Sequence, residues 1–127
     1  MLSLITLVLL FMTYERNFVW KDRIMLWEDV VQKSPYKARG HKDLGNAYRS
    51  KGMTEMAIKH YLIALNLNPK YADAYVNLGN AYRDLGQAEK AIENYLIALR
   101  LNQLLIEAHN NLAIIYSNLG RIDKAIQ

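Results

Sequence analysis

From residue 38 onward apolar side chains return at helical spacing. Leu78 and Tyr82 are four apart, as are Ala91 and Tyr95, with Ala98 and Leu99 one turn further on. That rhythm marks helices that bury one face. It is interrupted at Gly52, Gly86 and Gly120, where a helix end favours a left-handed residue, and at Pro69, whose ring supplies no N–H to continue a ladder. The pattern predicts helices over 38–51, 54–67, 72–85, 88–101 and 106–119, with a stub from Ile122. The fold class is all-α.

The helices come in pairs, and the pairs repeat. Residues 38–71 and 72–105 align without gaps at a period of 34, with 18 of 34 positions identical. Leu44-Gly45-Asn46-Ala47-Tyr48 returns as Leu78-Gly79-Asn80-Ala81-Tyr82, and Tyr61-Leu62-Ile63-Ala64-Leu65 as Tyr95-Leu96-Ile97-Ala98-Leu99. A third copy, 106–127, matches the second at 9 of its 22 positions. Helix pairs of this kind cannot bury their apolar faces alone and must stack. Gly45 and Gly79 follow the apolar Leu44 and Leu78, and Ala57, Ala91 and Ala125 open the second helices. Little bulk at these positions lets two backbones approach, while Tyr48, Tyr61, Tyr82 and Tyr95 fill the wider gaps. Gln103 stands where Pro69 stands one unit earlier, so the second junction is expected to be looser than the first.

Upstream, Trp20, Ile24, Trp27 and Val31 form an i, i+4, i+7, i+11 stripe. Trp27 precedes Tyr61 by 34 residues, so 21–34 reads as the second helix of a diverged repeat that caps the first full one, and 18–37 is taken as that capping unit. Residues 1–17 form a separate apolar segment, reading LSLITLVLLFM from Leu2 to Met12 with no charge until Glu15. It is too short for a ~30 Å hydrocarbon core, which needs about 20 apolar residues. Three readings of it stand open: the end of a transmembrane helix that begins outside this sequence, an apolar arm packing on protein, or a signal sequence. The first and third place the chain at a membrane or outside the cell.

Charge and chemistry narrow the function. The formal charge of +4 is concentrated between 37 and 70, where seven Lys and Arg face two Asp and Glu. One short basic stretch is not the continuous stripe a nucleic-acid groove requires, and it suits an acidic protein partner better. There is no cysteine, hence no disulfide or thiol chemistry. His41, His60 and His109 lack metal-ligand spacing, and no Ser-His-Asp set or Gly-rich phosphate loop occurs. The expectation is no enzyme and no cofactor.

The small, aromatic and glycine positions recurring at 34 residues resemble the tetratricopeptide (TPR) repeat family over 38–127. The resemblance implies a solenoid of helical hairpins wound into a right-handed superhelix, preceded here by the apolar N-terminal helix. It implies that the first helix of each pair lines a concave face that holds extended polypeptide. Lys42, Asn46, Arg49, Asn77, Asn80, Arg83 and Asn111 fall there and are the candidate peptide-binding residues. An amide offers both donors and an acceptor, so asparagines repeated at the solenoid period can grip a backbone whatever its sequence. Asn77 and Asn111 match the asparagine ladder of O-linked N-acetylglucosamine transferase repeats, which Asp43 breaks. Lys42, Asn46 and Asn77 match half of the clamp by which chaperone-binding repeats hold a terminal carboxylate. Asn46 and Asn80 lie in the string GNAY, where an amide commonly serves helix contacts instead. The Leu2–Met12 stretch followed by Trp20, Trp27 and Pro35 also resembles membrane proteins, O-mannosyltransferases among them, that end in such repeats.

The third unit stops part-way, at Gln127. Leu112, Ile115 and Tyr116 are expected to be partly bare there, and Leu4, Leu7, Leu10 and Phe11 supply an apolar arm at the other end. Two unlike sticky ends make a head-to-tail contact, which propagates into a ring or filament. Self-assembly through these residues is thus the alternative to a peptide-binding scaffold.

Overall fold

The computed structural model describes residues 3–120, with the backbone alone described for 17–22. Trp20 of the upstream stripe is among those whose side chains lie outside the description, and Ile122 and Ala125 fall beyond residue 120. Among the described residues six helices follow one another: α1 (Leu4–Lys33), α2 (Ala38–Ser50), α3 (Thr54–Leu67), α4 (Ala72–Asp84), α5 (Ala88–Leu101) and α6 (Ile106–Asn118). The helices α2 to α6 fall within a residue of the bounds that the spacing predicts. The expected boundary between 17 and 18 is not a helix end, because α1 runs unbroken through it. Nothing in 4–33 is glycine or proline, so no residue there stops the ladder.

Two kinds of turn alternate. After α2 and α4 the chain reverses through Gly52 (φ +84°) and Gly86 (φ +74°). At the first, the N–H of Gly52 donates to the Arg49 carbonyl and that of Met53 to the Tyr48 carbonyl, both at 2.9 Å. The second repeats this with Gly86 on Arg83 and Gln87 on Tyr82, again at 2.9 Å. Such paired bonds around a left-handed residue close a helix end and satisfy its last carbonyls. After α3 and α5 the turn is made by asparagine. The Asn68 side chain accepts from the Lys70 N–H at 3.2 Å, and Asn102 accepts from Leu104 at 3.0 Å. The turn after Asn102 thus keeps the asparagine bond of the one after Asn68, although Gln103 replaces Pro69. It lacks the backbone bond that closes the first turn, from the Tyr71 N–H to the Asn68 carbonyl at 3.1 Å.

Within each hairpin the close approach is made by glycine under tyrosine. A Cβ placed on Gly45 would lie 2.5 Å from Tyr61 Cε1, and one on Gly79 would lie 2.7 Å from Tyr95 Cε1. Both tyrosine side chains are fully buried, each worth roughly 1.5–3 kcal/mol of burial. Their hydroxyls are satisfied within the same hairpin. Tyr61 donates to Asn46 Oδ1 at 2.7 Å, and Tyr95 donates to Asn80 Oδ1 at 2.5 Å. One core cluster joins Ile24 of α1 to Leu44, Ala47, Tyr48, Ala57, Tyr61 and Leu78, with Trp27 and Val31 packed against it. A second joins Val76, Ala91, Tyr95 and Ala98 to Ala108, Leu112 and Ile115.

Residues 4–16 of α1 are exposed along their whole length. Thr6 and Thr13 return their hydroxyl protons to the carbonyls of Ser3 and Leu9, at 2.7 and 2.8 Å. No helix among the described residues is long and apolar enough to cross a membrane.

Candidate functional site

The first helices of the three units, α2, α4 and α6, supply one polar recess of about 330 Å³, lined by Lys42, Asn46, Asp73, Val76, Asn77, Leu105 and Glu107. Lys42, Asn46 and Asn77 are thus brought together as the spacing predicts. Arg49, Asn80, Arg83 and Asn111 do not line it.

The reason is a difference between two equivalent junctions. Between the second and third units, Asn80 Nδ2 donates to Glu107 at 2.9 Å, and Asn111 Nδ2 donates to Asn80 Oδ1 at 2.8 Å. Arg83 donates to Asn111 Oδ1 at 3.0 Å. Asn80 and Asn111 are buried, at 4% and 9% exposure, so these two amides tie the repeats to one another and are not surface amides. Between the first and second units the matching residues are Asn46, Asp73 and Asn77, and they do not bond one another. Aspartate is one methylene shorter than glutamate, so Asp73 does not reach Asn46 as Glu107 reaches Asn80. The arginine is also drawn away: Arg49 donates to both carboxylate oxygens of Asp84, at 2.7 and 3.4 Å. Asn77 is left with no side-chain hydrogen bond among the described residues, and Asn46 keeps its amide protons unpaired beyond the bond from Tyr61. The recess opens where this network stays unmade.

Its electrostatics are set by which charges are already paired. The Lys42 ammonium lies 3.3 Å from Asp43 and 5.5 Å from the centre of the Tyr71 ring. Burial acts to lower its pKa, but Asp43 and Tyr71 outweigh that and hold it above the ordinary lysine range. Arg39 also leans on Asp43, at 3.6 Å. Asp73 and Glu107 form no ion pair among the described residues. The basic surplus of 37–70 does not gather here, since Lys37, Lys51, Lys59 and Lys70 are exposed and do not line the recess. The uncompensated charge at the recess is negative.

Asp73, Leu105 and Glu107 are the lining residues that the asparagine argument passes over. A signal for them exists in the sequence. Arg39, Asp73 and Glu107 occupy one column at the 34-residue period, one turn before the asparagines and on the same helices.

The residues considered for self-assembly divide. Leu4, Leu7, Leu10 and Phe11 are exposed. Leu112 and Ile115 are not bare as expected. They are buried against α5, in the cluster that holds Ile92, Tyr95 and Ala98, and Tyr116 is half-buried beside them. The side of α6 that carries them faces α5, so their apolar surface is already used.

Known proteins share this architecture. The chain is 37% identical over 76 residues to the mouse protein O-mannosyl-transferase TMTC1, covering 58% of this chain and 8% of that protein. It is 36% identical over 69 residues to the Caenorhabditis elegans protein O-mannosyl-transferase F38B6.6, covering 53% and 10%. The chain thus spans a small part of the length of the relatives it matches. Among solved structures, MamA superposes with a TM-score of 0.80 at 30% identity, covering 90% of this chain and 67% of that one. The first TPR of Spaghetti (RPAP3), bound to the HSP90 peptide SRMEEVD, superposes at 0.77 with 25% identity, covering 85% and 86%. A sequence model of the TPR repeat matches residues 45–86 and again 79–120. With the hairpins stacked at the 34-residue period and glycine under tyrosine in each full unit, the chain belongs to the TPR repeat family.

Proposed function

We propose that this chain is a non-catalytic interaction scaffold that holds an extended polypeptide in the recess between its first and second repeats. One observation carries the reading: Asn77 and the amide protons of Asn46 line that recess unpaired, while their counterparts one repeat later are consumed internally. An extended backbone presents a carbonyl and an N–H at every residue, the partners these amides lack. The peptide seen on the Spaghetti repeat supports polypeptide as the ligand class for this fold. The charge differs here, because Asp73 and Glu107 favour a segment bearing lysine or arginine over an acidic tail.

Fluorescence anisotropy with labelled SRMEEVD and its charge-reversed form SRMKKVK tests this. The lysine form should bind about threefold to tenfold more tightly, since an exposed pair is worth about 0.2–1 kcal/mol and two carboxylates are on offer. Asn77→Ala should weaken binding by a similar factor, the worth of one net hydrogen bond, with the unfolding midpoint unchanged. Asn80→Ala should instead lower stability by about 1–3 kcal/mol, because Tyr95, Asn111 and Glu107 lose a buried partner. Equal effects of the two substitutions on stability would refute the division of roles.

A second reading rests on α1 and on the TMTC1 relatives. Residues 4–14 are apolar around the whole circumference of the helix, with even Val8 48% exposed, and a helix of that kind is covered on every side in its working state. We propose that it tethers the repeats to a membrane, and that the repeats form part of a longer O-mannosyltransferase whose chemistry lies outside these residues. Flotation with phospholipid vesicles should retain the full chain and release one lacking residues 1–14. Oligomers that vanish with the same deletion, in place of vesicle binding, would favour self-assembly through Leu4, Leu7, Leu10 and Phe11.

A further inference from the structure

Two imidazoles touch where α1 meets the first hairpin. His41, on α2, is 5% exposed. Its Nε2 lies 2.8 Å from the carbonyl oxygen of Pro35, in the turn between α1 and α2. A carbonyl only accepts, so Nε2 carries the proton and Nδ1 of the same neutral ring is an acceptor. That Nδ1 lies 3.3 Å from Nδ1 of His60 on α3, which must therefore donate. The rings are close to parallel, 17° between planes with centroids 5.6 Å apart. The Tyr48 ring lies alongside His60, 5.5 Å between centroids, and its hydroxyl donates to Glu28 of α1. Burial, then Glu28, push the Tyr48 phenol up to about 12, so it stays a donor.

Counting donors shows how much acid this joint accepts. A first added proton has a place on His60 Nε2 and leaves the N–H···N bond intact. A second can go only to His41 Nδ1, and two N–H groups then face each other across 3.3 Å with no acceptor between two cations. We infer that the His41–His60 pair is an acid-sensitive clasp, closing α2 on α3 beneath α1 with at most one proton and loosening that joint, and with it the seat of α1, when both imidazoles are charged.

The charged neighbours fit this assignment. Glu28 from α1 favours a proton on His60, Lys59 from α3 opposes it, and Tyr48 from α2 is neutral. His60 is held below the ordinary histidine range by burial first, then by His41 and Lys59, with Glu28 opposing. The released state binds more protons than the clasped one, so the stability of the joint is complete above about pH 6.5 and declines as pH falls. His109 is the built-in comparison. Its Nε2 lies 3.0 Å from the Gln103 carbonyl, the same six-residue reach back as His41 to Pro35, but no second imidazole meets it there.

Hydrogen exchange of α2 and α3, and of residues 24–33 of α1 seated on them, at pH 7.5 and 5.5 and corrected for the intrinsic rate, reads the clasp. Protection there should fall about tenfold for each pH unit below the ordinary histidine range, the effect of one proton, while α4 and α5 keep theirs. In His60→Asn, whose amide retains an N–H donor in place of Nδ1, the acid loss should largely disappear. No loss in the natural chain, or an equal loss in the variant, overturns the inference. Should the variant fail to fold, imidazole nitrogen shifts of the natural chain at pH 7.5 decide the matter. Protons on His41 Nε2 and His60 Nδ1 support the clasp, and the opposite tautomers overturn it.

Discussion

Truncating Tyr95 to alanine is expected to lower stability by about 3–5 kcal/mol, the range for deleting a buried aromatic ring. The ring is fully buried, lies over Gly79 and stands in the second core cluster with Ala91, Ala98, Leu112 and Ile115. Its hydroxyl contributes less. Tyr95→Phe removes only the bond to Asn80, whose oxygen still accepts from Asn111, so that variant should lose about 1 kcal/mol. Urea unfolding followed by circular dichroism measures both. A Tyr95→Ala loss no larger than that of Tyr95→Phe would show that the ring does not organise the hairpin.

Gly45→Ala is the second large effect, and its sign is the informative part. Alanine in place of glycine inside a helix ordinarily stabilises by about 1 kcal/mol. Here the new methyl would sit 2.5 Å from Cε1 and 2.7 Å from Cδ1 of Tyr61, a ring that is fully buried and cannot swing aside. Overpacking of this kind costs about 1–3 kcal/mol, so the chain should be destabilised. In a Tyr61→Ala background the obstacle is gone, and the same substitution should stabilise. This reversal within a double-mutant cycle is what close approach of α2 and α3 requires. Gly79→Ala should behave likewise, with Tyr95 as the obstacle.

The hairpins were legible because their causes are local and repeated. Leu44 and Leu78 set the buried face and Gly52 and Gly86 the left-handed turns, all at one period, whereas the turns made by Asn68 and Asn102 were signalled only by Pro69. The site was legible only in part. A 34-residue column tells which asparagines share a helix face, but not which find a partner first. Asn80 and Asn111 are consumed because Glu107 and Arg83 reach them. Asn77 is spared because Asp84 holds Arg49, and the amide protons of Asn46 are spared because Asp73 is a methylene shorter than Glu107. These are differences of side-chain length and of competition between charges one repeat apart, which periodicity averages away. Net charge does not locate the recess for a related reason: most of the surplus of 37–70 sits on exposed lysines outside it. The continuity of α1 across residue 17 was obscured by reading a change of composition as a change of element.

The central claim is that the unmade network between the first two repeats is where polypeptide binds. Titrating isotope-labelled chain with SRMKKVK while following the asparagine side-chain amide signals tests it most directly. The account predicts that Asn46 and Asn77 move with saturation while Asn80 and Asn111 stay fixed. Movement of Asn80 and Asn111 instead, or of Asn94 on α5 alone, would contradict it.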